Sequence, residues 1–587
     1  MKKFLYSFLG TMAGIWLSVL IGGALLVFTF VALIGSAMGG SSVKVEDQSV
    51  LRITLSGEIV DRASDMSLNE VLQSQGEMPL SLTDIVDAVT AAKTDDRIEG
   101  ILLECSGIGA GMAQCDEILA ALRDFKSSKK WIVAYSDNYS QADYFIASVA
   151  DSLLVNTVGM IDIHGLGSTT LYFKDLLDKV GVDAQVVRVG TYKSAVEPFL
   201  LSDMSEANRE QITGFLGRIW DNMAGTIAKN RGVHIDSVNA WANSFEFSLP
   251  TESYVSSGVA TGMIYRRQLD DMIAALTATD EPKYIDLEDY VAAAGVRPSG
   301  KGEKTVAVLY ALGDITESSE GGIASDRLVP QILELAENKD IDALVLRVNS
   351  GGGSAFASEQ IWEALEQYKA VSGKPFYVSM GDYAASGGYY ISCGADKIFA
   401  SPLTLTGSIG IFGVIPNIQP LLKEKLGVNP VSINTNEGSM PTFMAPMTAE
   451  QRDAMQSYVN RGYELFVGRV ASSRGLSVDS VKEIAQGRVW DGLSAFECGL
   501  VDEIGGLRAC LDAIAKELGC KYDELNIQRY PDVQDQWWMP LLAAGGQQMY
   551  AMLASPMPEG TEEYMKMLRS IATMYPLQAR ANYITLH

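Results

Sequence analysis

The second half of this chain repeats the first. Arg97–Cys105 carries the same order of polar and apolar residues as Asp340–Val348, with Ile101 matching Leu344 at 243 positions. Further on, Asp143–Asp151 matches Gly388–Asp396 at 245 positions, and Gly181-Val182-Asp183 matches Gly427-Val428-Asn429 at 246. Upstream, Leu55–Ile59 resembles Ala311–Ile315 at a larger offset of 256. Self-similarity at a nearly constant offset means two copies of one fold, so any architecture for the chain must be a doubled one. Each copy alternates short Val/Ile/Leu strands, such as Ala343–Val348, with amphipathic helices, such as Ser358–Lys369. That is the pattern of a layered α/β fold. Pro282–Glu303, with a second proline at Pro298 and glycines at 295, 300 and 302, reads as the connection between the copies.

Within the second copy, Gly381-Asp382-Tyr383-Ala384-Ala385-Ser386-Gly387-Gly388-Tyr389-Tyr390 sets one serine among alanines and glycines, with no charge next to its hydroxyl. Small neighbours let a substrate backbone approach. The glycine after the serine leaves a backbone N–H open to an oxyanion, so Ser386 is the candidate nucleophile and Gly387 a candidate oxyanion donor. A serine needs a base, and histidine is the usual one. The chain has three. His587 is the last residue, His234 lies in a polar turn, and His164 is expected in a packed, hydrogen-bonded core position. A Ser-His-Asp arrangement is therefore disfavoured, and lysine is the main alternative.

The repeat supplies that lysine. Ser386 aligns with Gln141 of the first copy, which is no nucleophile, and Lys193 aligns with Ser439 of the second. Each copy keeps one member of a Ser/Lys pair and has lost the other, which points to one composite site. Lysine with an ordinary pKa near 10.4 is protonated at neutral pH and cannot take a proton. An apolar pocket lowers that pKa, and Tyr192, Ala195, Val196 and Phe199 suit one. Leu346–Ser354 ends a buried strand and opens a helix, a place for exposed backbone N–H groups and for a second oxyanion donor.

Gly381–Tyr390 together with Leu403-Thr404-Leu405-Thr406-Gly407-Ser408-Ile409-Gly410-Ile411 closely resemble the bacterial protease IV (signal peptide peptidase A) family in its long, two-repeat form. The resemblance runs from about residue 50 to about 525. It implies ClpP/crotonase-like repeats of β-β-α units, with Ser386 as nucleophile, Lys193 as general base and Ser408 holding that lysine. The family's glycine in the strand-to-helix loop falls on Gly352, the expected second oxyanion donor. Where the family usually has proline, this chain has Gly351.

The N-terminus points to a membrane. Lys2 and Lys3 are followed by no charge until Lys44, and Phe8 to Met38 is almost continuously apolar. Roughly 20 apolar residues span a bilayer, whereas a cleaved signal has an apolar core of about 7–15. An uncleaved anchor is expected, with the positive end inside and the catalytic part on the extracytoplasmic side of the inner membrane. The expected domains are residues 1–43 (cytoplasmic tip and anchor), 44–295 (first repeat, lysine), 296–525 (second repeat, serine) and 526–587 (a packed C-terminal extension). A net charge of −26 argues against nucleic acid as a partner. The six cysteines form no CxxC pair, so no zinc site is expected, and Cys105 and Cys393 lie in apolar runs as free buried thiols.

The expected activity is a membrane-anchored serine endopeptidase with a Ser386/Lys193 dyad, needing no metal or cofactor. From the resemblance, its substrates are signal peptides and other apolar peptides, and it assembles as a homo-oligomer, a tetramer in the long form. Two other classes remain open from the residues: a crotonase-like acyl-CoA enzyme, and a catalytically silent membrane scaffold.

Overall fold

The computed structural model describes residues 44–62, 79–244, 251–294, 302–318, 322–436, 438–439 and 442–531, and residues 578–580 as backbone. The expected anchor at 8–38 and most of the C-terminal extension lie outside these. Among the described residues, no helix is long and apolar enough to cross a membrane.

Runs such as Ile101–Leu103 and Val306–Leu309 are apolar at consecutive positions, so both faces of their strands must be covered. They lie inside two parallel sheets. The first is built from β1 (Ser49–Val60), β2 (Ile98–Gly109), β3 (Trp131–Tyr139), β4 (Ser152–Ile161), β5 (Gly262–Met263) and β6 (Lys283–Asp286), in the order β6-β1-β2-β3-β4-β5. The second uses β7 (Lys304–Leu312), β8 (Ala343–Ser350), β9 (Phe376–Ala385), β10 (Lys397–Ala400), β11 (Leu405–Gly407), β12 (Glu503–Ile504) and β13 (Leu525–Tyr530). Its order is β13-β7-β8-β9-β10-β12, with β11 pairing the far end of β9. The strand order is the same in both sheets.

The connection narrows, and the second sheet reaches past residue 525. The segment read as a connection begins with β6, which extends the first sheet, and continues into helix Leu287–Ala294. The second sheet ends with β13, so the second half runs through Tyr530 rather than 525.

Helices cover the sheets with apolar stripes. In α1 (Met112–Phe125), Cys115, Ile118, Leu119 and Leu122 recur at helical spacing and are buried. Leu403 and Leu405 of the second half join the core of the first, so the halves share packing. A third sheet crosses between them. Strand Asp183–Arg188 of the first half runs antiparallel to Phe412–Asn417 of the second. Residues 578–580 lie antiparallel to Gly352–Ser354 and also reach Phe412.

Candidate active site

The crossing sheet determines where the lysine goes. Arg188 pairs with Phe412, and Val189 N–H still donates to Ile411 O at 3.1 Å. The chain then turns at Gly190, whose φ is +108° and where an added Cβ would lie 2.4 Å from Gln486 O. Tyr192 N–H donates to that same oxygen at 2.9 Å. Lys193 is thereby driven into the second half, where it is 1% exposed.

The serine arrives on β9, whose last residue, Ala385, pairs with Gly407 of β11. Ser386 N–H donates to Gly407 O at 2.7 Å, and the chain turns sharply into α2 (Gly387–Ser392). Ser386 has φ +57° and Ser408 has φ +50°. Such a conformation costs a non-glycine residue about 1–2 kcal/mol and persists only where its surroundings enforce it. Ser386 makes no cap bond to its helix, so its hydroxyl is left for other work.

Lys193 Nζ lies 2.7 Å from Ser386 Oγ, 2.9 Å from Ser408 O and 3.1 Å from Ser408 Oγ. Among the described residues no carboxylate pairs with it. Burial alone pushes its pKa well below the ordinary lysine value. A neutral amine has two N–H donors and one lone pair. Ser408 accepts both donors, which leaves the lone pair facing the Ser386 hydroxyl. The lysine stem fits because two neighbours lack side chains: a Cβ on Gly487 would lie 2.6 Å from Lys193 Cβ, and one on Gly410 would lie 3.2 Å from its Cδ. Ala195 and Val196 pack with Phe412 to form the apolar wall. Phe199 packs against this same cluster and stacks on Phe173, whereas Tyr192 turns away to meet Arg488 and Glu210.

Of the expected oxyanion donors, Gly387 opens α2, where the first N–H groups have no partner within the helix. Gly352 is buried nearby with φ +105°, and its N–H donates to Ser350 Oγ at 3.1 Å. That bond must be exchanged before Gly352 can serve an oxyanion.

The first half explains what the same loop can hold. There the helix Gln141–Ala147 is capped by Ser140, one position before the aligned Gln141, and the Ser140 hydroxyl donates to Asp143 Oδ2 at 2.7 Å. Fully buried Asp143 also accepts from Gly107 N–H at 3.1 Å and Ile108 N–H at 3.4 Å. This loop therefore binds its own carboxylate through backbone amides. In the second half the residue aligned with Asp143 is Gly388, which leaves that space free of charge. Gln141 is tied up by Gly165 and His164 backbone, and the hydroxyl of Ser439, aligned with Lys193, donates to Asn436 O.

Neither described histidine bonds the Ser386/Lys193 pair, and His587 lies outside the described residues. His164, expected in the core, is exposed instead and bonds Asp162, because the chain leaves β4 at the sheet's end. His234 caps helix Ile235–Asn243 at the surface, as a polar turn residue should. Cys105 and Cys393 are free and buried, and no metal-holding cluster occurs among the described residues.

Comparison with known proteins gives a consistent family. The model for peptidase family S49 matches residues 124–250 and 369–521. The chain is 33% identical over 579 residues to Protease 4 of Haemophilus influenzae, covering 95% of this chain and 92% of that one. It is 35% identical to Protease 4 of Salmonella typhi, covering 91% and 90%. To the chloroplastic serine protease SPPA of Arabidopsis thaliana it is 30% identical, covering 81% and 70%. Among solved structures, a ClpP1 mutant from Listeria monocytogenes aligns at 18% identity with a TM-score of 0.24, covering 35% of this chain and 94% of that one.

Proposed function

The chain belongs to peptidase family S49, in its Protease 4 (SppA) branch, and on that premise we propose that it is a membrane-anchored endopeptidase working through a Ser386/Lys193 dyad. The family makes it a serine peptidase. The observation that carries the rest is the buried 2.7 Å approach of Lys193 Nζ to Ser386 Oγ.

Neutral Lys193 takes the Ser386 proton as Oγ attacks the peptide carbonyl. The tetrahedral oxyanion is met by backbone N–H groups of Gly387 and Gly352, the latter released from Ser350. Lys193 then hands its proton to the departing amine, leaving an acyl-enzyme. A water molecule gives up a proton to Lys193 and attacks the ester. Collapse returns that proton to Ser386 Oγ and frees the acid. Ser408 holds the amine throughout, since both its oxygens lie within reach of Nζ.

A peptide substrate suits the surroundings better than an acyl-CoA. The edge at Gly352–Ser354 already takes an extended segment, residues 578–580, in antiparallel register. A substrate strand that displaces this segment can pair in the same way, with main-chain bonds giving affinity independent of sequence. The preferred substrates are apolar peptides, signal peptides left in the membrane among them. The apolar run 8–38 anchors the protein in the inner membrane with its catalytic part on the periplasmic side. The two sheets of equal strand order are read as tandem ClpP/crotonase-like repeats, and the working form as a homo-oligomer, a tetramer.

The test uses the full-length protein in detergent, with an apolar chromogenic peptide and an acyl-CoA thioester offered in parallel. Peptide turnover that disappears in Ser386→Ala is expected. Thioester turnover without peptide turnover would overturn the reading.

A further inference from the structure

The helix α1 of the first half begins at Gly111, whose φ of −71° and ψ of +161° are those of an N-cap, yet glycine offers no side chain to cap with. The cap comes from the other half. Asp382 Oδ1 accepts from Ala113 N–H at 2.9 Å and from Gln114 N–H at 3.3 Å. The fit is close: a Cβ on Gly111 would lie 2.0 Å from Asp382 Cγ. Asp382 sits on β9, four residues before Ser386 at the strand's end.

The other carboxylate oxygen turns the opposite way. Asn349 Nδ2 donates to Asp382 Oδ2 at 3.2 Å and to Asp61 Oδ2 of the first half at 2.9 Å. Asn349 Oδ1 accepts from Tyr383 N–H at 3.1 Å. Asn349 lies three residues before Gly352 at the end of β8. One carboxylate thus joins the strand that carries the nucleophile, the loop that carries the second oxyanion donor, and the half of the chain that carries the lysine. Behind it, fully buried Arg347 binds Asp61 and Glu117 and fixes the same two halves.

We infer that Asp382 is a positioning residue: by capping the first half's helix while holding Asn349, it sets Ser386 and the Gly352 loop in register with Lys193. This rests on the dyad reading above. A misplacement of about 1 Å between reacting groups can cost up to about 100-fold in rate, so a register device here acts on the chemical step.

Capping and positioning separate experimentally, because the helix can be capped from its own chain once the Asp382 carboxylate is gone. Asp382→Ala should lower both the melting temperature and kcat on an apolar chromogenic peptide. Adding Gly111→Ser in that background supplies a local cap in a backbone already suited to it, and should raise the melting temperature toward wild type. kcat should stay roughly 10-fold or more below wild type, with KM little changed. Recovery of kcat together with stability would reduce Asp382 to a structural cap and overturn the inference. Asp382→Asn provides a check that does not depend on those variants folding. It can still accept from the helix, but its NH2 must face the Asn349 NH2. It should fold like wild type and lose kcat, and wild-type kcat in it would overturn the inference. Ser386→Ala run alongside keeps the two ideas apart: turnover persisting there sinks the dyad, whereas a dead Ser386→Ala beside a fully active Asp382→Asn sinks only the positioning role.

Discussion

Arg188 and Phe412 stand opposite each other in an antiparallel pair that joins the two halves of the chain. Everything at the site follows from that register. Five residues beyond Arg188 comes Lys193, and four residues before Phe412 comes Ser408, whose two oxygens hold the lysine amine. Gly407, just before Ser408, accepts the backbone N–H of Ser386. Lys193, Ser408 and Ser386 are therefore placed by one stretch of sheet, and the burial that lowers the lysine pKa comes with it.

Removing the nucleophile should abolish turnover without unfolding the protein. Ser386 is buried among alanines and glycines, so Ser386→Ala deletes one oxygen and keeps the Cβ, leaving the strain of the turn as it is. kcat should fall by roughly 10⁴-fold or more. A fluorophosphonate probe should label the wild type at Ser386 and leave the variant unlabelled. Substantial turnover in the variant would remove Ser386 from the mechanism.

Activity should rise with pH through the depressed pKa of Lys193 and level off below the ordinary lysine value near 10.4. The neutral amine is the reactive form, and burial brings it within reach at lower pH. Lys193→Arg keeps a positive charge at any usable pH and should be as dead as Lys193→Ala. A Lys193→Arg enzyme with wild-type kcat would mean that the residue supplies charge, not proton transfer.

The same depressed pKa leaves a signature in stability. Between the folded pKa of Lys193 and about 10.4, the unfolded chain holds a proton that the folded one lacks, so wild-type stability gains with rising pH in that window. Lys193→Met has no such dependence. Its melting temperature relative to wild type should therefore fall as pH is raised from 7 toward 10. A difference that stays constant across that range would show that the lysine keeps an ordinary pKa in the folded protein.

Much of this site could be read from residues alone. The repeat offset singled out Ser386 and Lys193, whose side chains lie 2.7 Å apart in the structure, and the alternation of short apolar strands with amphipathic helices pointed to layered α/β architecture. What escaped was set by chain crossing, which no local pattern encodes. Gly410 and Gly487 shape the lysine slot only because the turn at 486–488 folds back onto Gly190. The one-residue offset between Gln141 and the capping Ser140 is invisible without the helix start. His164 looked like core because it follows Ile163, yet it sits where the strand has ended. Signals for the inter-half network were present: Arg347 interrupts a buried apolar strand, and a charge there demands partners.

Gly487 offers a test of the lysine slot. At φ +77°, Gly487→Ala incurs about 1–2 kcal/mol of backbone strain and drives its Cβ against Lys193. Gly475→Ala makes a useful partner, since it has φ +64° but open space around it. Both should lose stability through the backbone, and Gly487→Ala should lose more because its Cβ also overpacks against Lys193. Only Gly487→Ala should lose kcat as well, by roughly 10-fold or more. Equal kcat in the two variants would show that the lysine tolerates displacement.

The last prediction concerns whether the site needs one chain or two. Lys193 reaches Ser386 within a single polypeptide, through an antiparallel pair whose strands both belong to it. Co-expressed Ser386→Ala and Lys193→Ala chains should therefore form mixed oligomers that remain inactive. In such an oligomer every site lacks either the nucleophile or the base, because each chain completes its own dyad. Differential tags and tandem purification isolate the mixed species, and peptide turnover is then measured on it directly. If neighbouring subunits exchanged the Asp183–Arg188 strand, one site in the mixture would combine intact Ser386 with intact Lys193. Partial recovery of turnover would reveal that exchange and refute the intrachain dyad.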